Sequence, residues 1–106
     1  MGKARQIRLD TRLFFKAGDA SAFFSGMLNR YSIGQRVSAA DQADLEALLK
    51  RHDERVEKIG IGINYIEVSN APDEFGGRCF WIVRTDGSRI DFSFKHCLAP
   101  KAYDVI

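Results

Sequence analysis

Asp91, Ser93, His96 and Cys97 lie close together near the carboxyl end of this 106-residue chain. An acid, a hydroxyl, an imidazole and a thiol are the types from which nucleophilic relays are assembled. Strand alternation through Ile90 and Phe92, however, sends His96 to one face and the other three to the opposite face, so a relay would need a bend in the strand. Cys79, Cys97, His52 and His96 supply zinc-type ligand atoms, but none of the short paired spacings of zinc sites is present. No catalytic residue, metal site or cofactor is therefore expected, and the chain does not read as an enzyme. Gly60 and Gly62 invite comparison with a phosphate-binding glycine loop. That motif follows a strand and opens a helix, whereas these glycines lead into a strand. A bulge or a close backbone approach is the expected reason for them.

The remaining set is basic and aromatic: Arg78, Phe80, Arg84, Arg89 and Lys95. Four cations can neutralise phosphates, and a phenyl ring offers a flat surface on which a base stacks, so this combination points to a nucleic acid, with structured or single-stranded RNA as the expected kind.

What must position these residues is a hairpin. Two runs rich in β-branched and aromatic residues flank Asp86-Gly87, and a two-residue type I′ turn is expected there. That turn sets Arg84 opposite Arg89, Trp81 opposite Phe92 and Arg78 opposite Lys95. Alternation then gives a core face of Cys79, Trp81, Val83, Ile90, Phe92 and Phe94. The outer face carries Arg78, Phe80, Ile82, Arg84, Arg89, Asp91, Ser93 and Lys95. Like charges directly opposite one another are destabilising, and an anionic ligand would relieve them. The alternative is that a helix or the amino-terminal segment covers Phe80 and Ile82, with Asp91 pairing diagonally with Arg84. On the hairpin reading, Trp81→Ala costs about 3–5 kcal/mol, and joint alanine replacement of Arg84 and Arg89 costs nothing. Cys79 and Cys97 fall on opposite faces and are expected to be reduced thiols.

Composition is that of one globular domain, 1–106, with 45% hydrophobic and 28% charged residues. A net charge of +2 is too small to establish a polyanion partner by itself. No apolar stretch approaches a membrane span, and the basic amino terminus has no signal-peptide core. A cytoplasmic monomer without membrane contact is expected.

In chain order, residues 1–12 read as a loose basic arm before a strand at Leu13 to Lys16. A helix from Gly18-Asp19 to Tyr31, capped by Asp19 or Ser21, carries an apolar stripe of Ala20, Phe23, Phe24, Met27, Leu28 and Tyr31. A short extended piece at Gln35 to Val37 precedes Ser38-Ala39-Ala40-Asp41, which resembles a capping box and starts a second helix through Leu45, Leu48, Leu49 and His52. His52 is expected to pack or to donate to the last carbonyls of that helix. Asp53 to Lys58 reads as a solvated connection, Gly60 to Val68 as a strand, and Asn70 to Gly77 as a loop. Within that loop Phe75 is either a buried anchor or an exposed contact. After Leu98 the tail, 99–106, leaves the sheet. The expected fold is α+β, a small antiparallel sheet built on the carboxyl-terminal hairpin and the strand Ile61 to Val68, with two helices packed on the face of Trp81 and Phe92.

Gly34 and Val37, Leu48-Leu49 with His52, Lys58-Ile59-Gly60-Ile61-Gly62, Ile66-Glu67-Val68, Arg78-Cys79-Phe80, Arg84-Thr85-Asp86-Gly87 and Asp91-Phe92-Ser93 with Cys97 together resemble the DCL-like (defective chloroplasts and leaves) domain. The resemblance covers about residues 13–98, and the hairpin is its most specific part. It implies kinship with plant plastid proteins of ribosomal RNA maturation, with a domain of plant-specific RNA polymerase largest subunits, and with stand-alone bacterial proteins, the kind this chain is most similar to. The family pattern has an aromatic hydroxyl after Asp-Phe-Ser and a lysine directly before the cysteine. Phe94 and His96 hold those places here, with Lys95 one position earlier, which displaces any phosphate contact made by that lysine. The family brings no catalytic residues.

Two functions follow as expectations. The first is an RNA-binding module related to ribosomal RNA maturation or transcription. The second is a protein-interaction module that docks on ribosome-assembly or transcription machinery, for which an exposed apolar patch around Phe75, Phe80 and Ile82 would be needed.

Overall fold

The computed structural model describes residues 5–72 and 77–101. The expected role of Phe75 lies outside these described residues. The fold is α+β. Strands β1 (Ile7–Arg8) and β2 (Leu13–Phe14) precede helices α1 (Ala17–Arg30), α2 (Ala39–Leu49) and α3 (Arg55–Ile59). Strands β3 (Ile63–Asn70), β4 (Arg78–Arg84) and β5 (Arg89–Phe92) and helix α4 (Phe94–Leu98) follow. β3, β4 and β5 form an antiparallel sheet in that order. Among the described residues no helix is long and apolar enough to cross a membrane.

The hairpin β4–β5 exists, but its register differs from the expected one. Phe80 pairs with Phe92, Trp81 with Asp91, Ile82 with Ile90 and Val83 with Arg89. Only Gly87 of the Asp-Gly pair has a positive φ, 87°, and a type I′ turn needs positive φ at both central residues. Arg84 donates its N–H to the Ser88 carbonyl at 2.8 Å, and Gly87 donates to the Arg84 carbonyl at 2.9 Å. The loop therefore contains Thr85, Asp86 and Gly87, with the glycine in the left-handed conformation of a G1 bulge. Asp86 favours this form locally, since its carboxylate accepts from the Ser88 N–H at 2.9 Å and from its hydroxyl at 2.6 Å.

A slip of one residue turns every β5 side chain over relative to β4. Phe80 and Ile82 are thereby joined by Ile90 and Phe92 on one face, opposite the expected grouping, and β3 adds Ile66 and Val68 to it. Phe80, Ile82, Ile66 and Val68 are fully buried and Phe92 nearly so. This is the core face, and Trp81 belongs to the other face. The sequence expectation that the helices pack against Trp81 is thus overturned, because β4 carries apolar residues on both faces and its partners decide which is buried.

Helix α1 covers the core face with the expected stripe, burying Ala20, Phe24 and Met27. No side chain caps its start at Lys16, so neither Asp19 nor Ser21 fills that role. Phe24 meets Phe94 at a centroid distance of 6.4 Å, and Phe80 meets Phe94 at 6.5 Å and Phe92 at 5.8 Å, which ties α1, α4 and the sheet into one core. Ser38 caps α2 as expected, accepting from the Asp41 N–H at 3.1 Å. The buried Asp41 carboxylate takes the Tyr31 hydroxyl and the Arg30 guanidinium, which fixes the end of α1 to the start of α2.

The amino-terminal segment is also placed differently from expectation. From Arg5 onward the supposed loose arm is a small hairpin, with Ile7 opposite Phe14 and with Ile7 and Leu9 buried. Alternation puts both aliphatic side chains on one face, and burying them offsets the cost of ordering the segment. Arg12 donates to both Asp44 oxygens, at 3.2 and 3.0 Å, and Arg5 to the Leu98 carbonyl at 2.7 Å. Asp53 to Lys58, expected as a plain connection, contains most of α3, which runs on to Ile59. The strand after Gly62 pairs with β4 and shifts register between Ile63 and Tyr65, a bulge at the place the glycines suggested. Gln35 to Val37 runs beside β3, with Arg36 bridged to Glu67. The second strand of the hairpin stops at Phe92, so Phe94 to Cys97 are helical and not extended.

Candidate nucleic-acid interface

The five basic and aromatic residues singled out from the sequence separate into three environments. Phe80 is fully buried and presents no surface to a base. Ile82 is equally buried, so these two residues form no exposed patch for a protein partner. Arg84 shares their side of the strand, where α3 covers it. Its Nε donates to the Lys58 carbonyl at 3.0 Å, and its terminal nitrogens donate to the Glu57 carbonyl at 2.9 Å and to Ser88 Oγ at 3.1 Å. The guanidinium satisfies the last carbonyls of α3 and faces the negative end of that helix. It also explains Gly60: a Cβ there would come within 2.9 Å of Arg84 Nε, and the glycine has φ 56°. Arg84 and Arg89 do not oppose each other, since Arg89 pairs with Val83.

Arg78 is exposed and holds the Tyr31 carbonyl at the end of α1. With Lys95 it borders a cleft of about 450 Å³ that opens where β5 gives way to α4, against Leu28 of α1.

Arg89 lies on the opposite face of the sheet. It forms an ion pair with Glu67, and its guanidinium sits 4.9 Å from the centre of the Trp81 ring. A second such pair lies nearby, with the Arg36 guanidinium 4.5 Å from the centre of the Tyr65 ring. Register makes these neighbours: Arg36, Glu67, Trp81 and Asp91 form one row across the sheet, and Tyr65, Val83 and Arg89 form the next. Tyr65 and Trp81 are half-buried, Arg36 and Arg89 exposed. The Trp81 indole N–H donates to the Asn70 carbonyl at 2.9 Å, which restrains the ring. Guanidinium planes over aromatic rings are surfaces on which bases stack, and the arginines can also reach phosphates. The alternation in β3, with Ile66 and Val68 inward and Tyr65 and Glu67 outward, was the available sign of this face.

Asp91, Ser93, His96 and Cys97 are not brought together. Asp91 lies in the outer row, and Ser93 caps α4 by accepting from the His96 N–H at 3.4 Å. His96 stacks on His52 at 4.4 Å and lies 3.5 Å from an Asp53 oxygen. Cys97 is buried, which pushes its thiol up to about 12, so it stays protonated at neutral pH. Neither Cys79 nor Cys97 is in a disulfide. Of its two expected roles, His52 takes the packed one: it is buried against His96. Its Nδ1 accepts from the Glu54 N–H at 3.0 Å, and burial with the nearby His96 lowers its pKa. Among the described residues no group of three His, Cys, Asp or Glu is placed to hold a metal ion.

A family model described as "Protein of unknown function (DUF3223)" matches residues 25–98, most of the chain. Protein DCL, chloroplastic, from Solanum lycopersicum is 44% identical over 70 residues, which span 65% of this chain and 31% of that protein. DNA-directed RNA polymerase V subunit 1 from Arabidopsis thaliana is 35% identical over 69 residues, 64% of this chain and 4% of that subunit. The chain thus spans about a third or less of these plant relatives. The solution NMR structure of an uncharacterized protein from Rhodospirillum rubrum superposes with a TM-score of 0.80 at 46% identity, covering 92% of this chain and 91% of that one.

Proposed function

The chain belongs to the DUF3223 family, and on that premise we propose that the domain binds single-stranded RNA on the open face of its three-stranded sheet. The carrying observation is the pair of arginine–aromatic stacks, Arg36 on Tyr65 and Arg89 on Trp81, set side by side by strand register. Each stack offers a planar cation to a base and a positive charge to the neighbouring phosphate, the combination used by sheet platforms for unpaired strands. Likeness to a subunit named for an RNA polymerase supports a partner of this chemistry without fixing its sequence. Glu67 neutralises part of the charge on Arg89 in the free protein, so binding exchanges one anionic partner for another.

Trp81 is the only tryptophan of the chain, and its fluorescence reports directly on this face. Titration with a single-stranded decanucleotide is expected to quench it, with a log–log salt slope of about −0.7 to −1.4, as release from one or two phosphates of a single strand requires. Tyr65→Ala should weaken binding by about 1–3 kcal/mol, the contribution of one stacked base. Unchanged Trp81 emission at low salt, with no binding by anisotropy, would remove RNA from this face.

A further inference from the structure

The cleft beside β4 carries a recognition edge of its own. The Arg84 N–H bonds to the Ser88 carbonyl, so alternation directs the peptide groups of Ile82, Phe80 and Arg78 toward β5 as well. Ile82 and Phe80 meet Ile90 and Phe92 there. The residue that would continue the ladder opposite Arg78 is Phe94, but it lies in α4, because the chain turns at Ser93 to cap that helix. The N–H and C=O of Arg78 therefore face the cleft, and among the described residues neither is bonded there to another backbone group. An antiparallel strand leaves these two groups side by side, one donor and one acceptor about a base edge apart.

The rest of the lining complements that pair. Leu28 and Phe94 supply an apolar wall, Ser93 adds a hydroxyl, and Arg78 and Lys95 add two cations to the lining. A volume of about 450 Å³ lies within the range of small-ligand sites. We propose that this cleft binds one nucleoside 5′-monophosphate unit, its base edge on the backbone N–H and C=O of Arg78 and its phosphate between Arg78 and Lys95. Every base has adjacent donor and acceptor groups on its pairing edge, which the N–H and C=O of Arg78 match, and the apolar wall suits a planar ring. Two cations in the lining make the cleft favourable to an anion. The unit comes either from a free nucleotide or from the phosphorylated end of an RNA. The cleft is separate from the Tyr65 and Trp81 face, so this assignment stands or falls independently of binding there.

The test is a titration of the full chain, labelled with 15N, with AMP, adenosine, ribose 5-phosphate and a 5′-phosphorylated trinucleotide. AMP is expected to move the amides of Arg78, Ser93, Phe94 and Lys95. Adenosine and ribose 5-phosphate should bind at least about tenfold more weakly, since each lacks half of the recognised groups. Lys95→Ala should weaken AMP about fivefold with the rest of the spectrum unchanged, a loss in the range of one partly exposed charge-assisted bond. Arg78→Ala also releases the Tyr31 carbonyl, so Lys95 is the cleaner variant. Response to AMP assigns a free nucleotide, and response to the phosphorylated trinucleotide alone assigns an RNA end. The assignment is overturned if neither moves these amides at about 5 mM, a concentration that would reveal even millimolar binding. Equal affinity for adenosine and AMP, or Lys95→Ala binding AMP as the unaltered chain does, overturns it too.

Discussion

Arg84→Ala should be a fold mutation, although parity and charge alone made Arg84 a candidate for ligand binding. Its guanidinium spans three acceptors, the carbonyls of Glu57 and Lys58 and the hydroxyl of Ser88, at 2.9, 3.0 and 3.1 Å. The half-buried bond to Lys58 is worth about 1.5 kcal/mol and each exposed bond roughly 0.5 kcal/mol. A cation at the carboxyl end of α3 adds about 0.3 kcal/mol or more. Allowing for water at the exposed carbonyls, the loss should be about 2–3 kcal/mol, which lowers Tm by roughly 10 °C for a domain of this size. Arg89→Ala, which removes an exposed ion pair and one ring contact, should cost only about 0.5–1 kcal/mol. Arg84→Lys keeps the charge but reaches one acceptor at a time, so it should recover less than half of the loss. Urea unfolding of the three variants measures these differences through the midpoint at constant slope. Arg84→Ala within about 0.5 kcal/mol of the unaltered protein, or equal to Arg89→Ala, would refute the assignment of Arg84 to the end of α3.

The two aromatic residues at the centre of β4 should separate in the opposite sense from the sequence expectation: Phe80→Ala should cost about 3–5 kcal/mol because its ring is fully buried against Phe92 and Phe94, and Trp81→Ala only about 1–2 kcal/mol. Equal losses in urea unfolding would contradict the observed register. Gly87→Ala should cost about 1–2 kcal/mol. No atom lies within 4 Å of a Cβ at Gly87, so the penalty is purely that of a side chain at φ +87°. A neutral effect on the unfolding midpoint would mean that the loop does not hold that conformation in solution. For His52 the folded protein favours the neutral ring, which accepts the Glu54 N–H at Nδ1, so its pKa is depressed. The unfolded chain then takes up protons first, and stability should fall as pH drops below about 6.5 toward the folded pKa. His52→Asn keeps an acceptor without a titrating group and should flatten Tm between about pH 7.5 and 5; an unchanged pH dependence would locate the titration elsewhere.

Much of the architecture was legible from local chemistry. The hairpin at Asp86-Gly87, the apolar stripe of α1, the Ser38 cap and the bulge after Gly60 and Gly62 each follow from interactions within a few residues, and each is present, although the turn is not the expected type I′. The outcome for the candidate interface was different, because it depended on one dihedral angle. Asp86 with negative φ turns the expected two-residue loop into a three-residue one and turns β5 over. Nothing local to β4 could signal that inversion, since Phe80 and Ile82 on one side and Cys79, Trp81 and Val83 on the other are both plausible core sets. Ile66 and Val68 of β3, and Phe24 and Phe94 from the helices, meet only in the folded chain and select the first set. Basic residues behaved likewise. Their charge was evident from the sequence, but the carbonyl groups at the end of α3 claimed Arg84, while Tyr65 and Trp81 received Arg36 and Arg89. Residue type thus determined which side chains could bind an anion, and tertiary packing determined which of them remained available, because buried and helix-end acceptors compete for the same guanidinium groups before any ligand does.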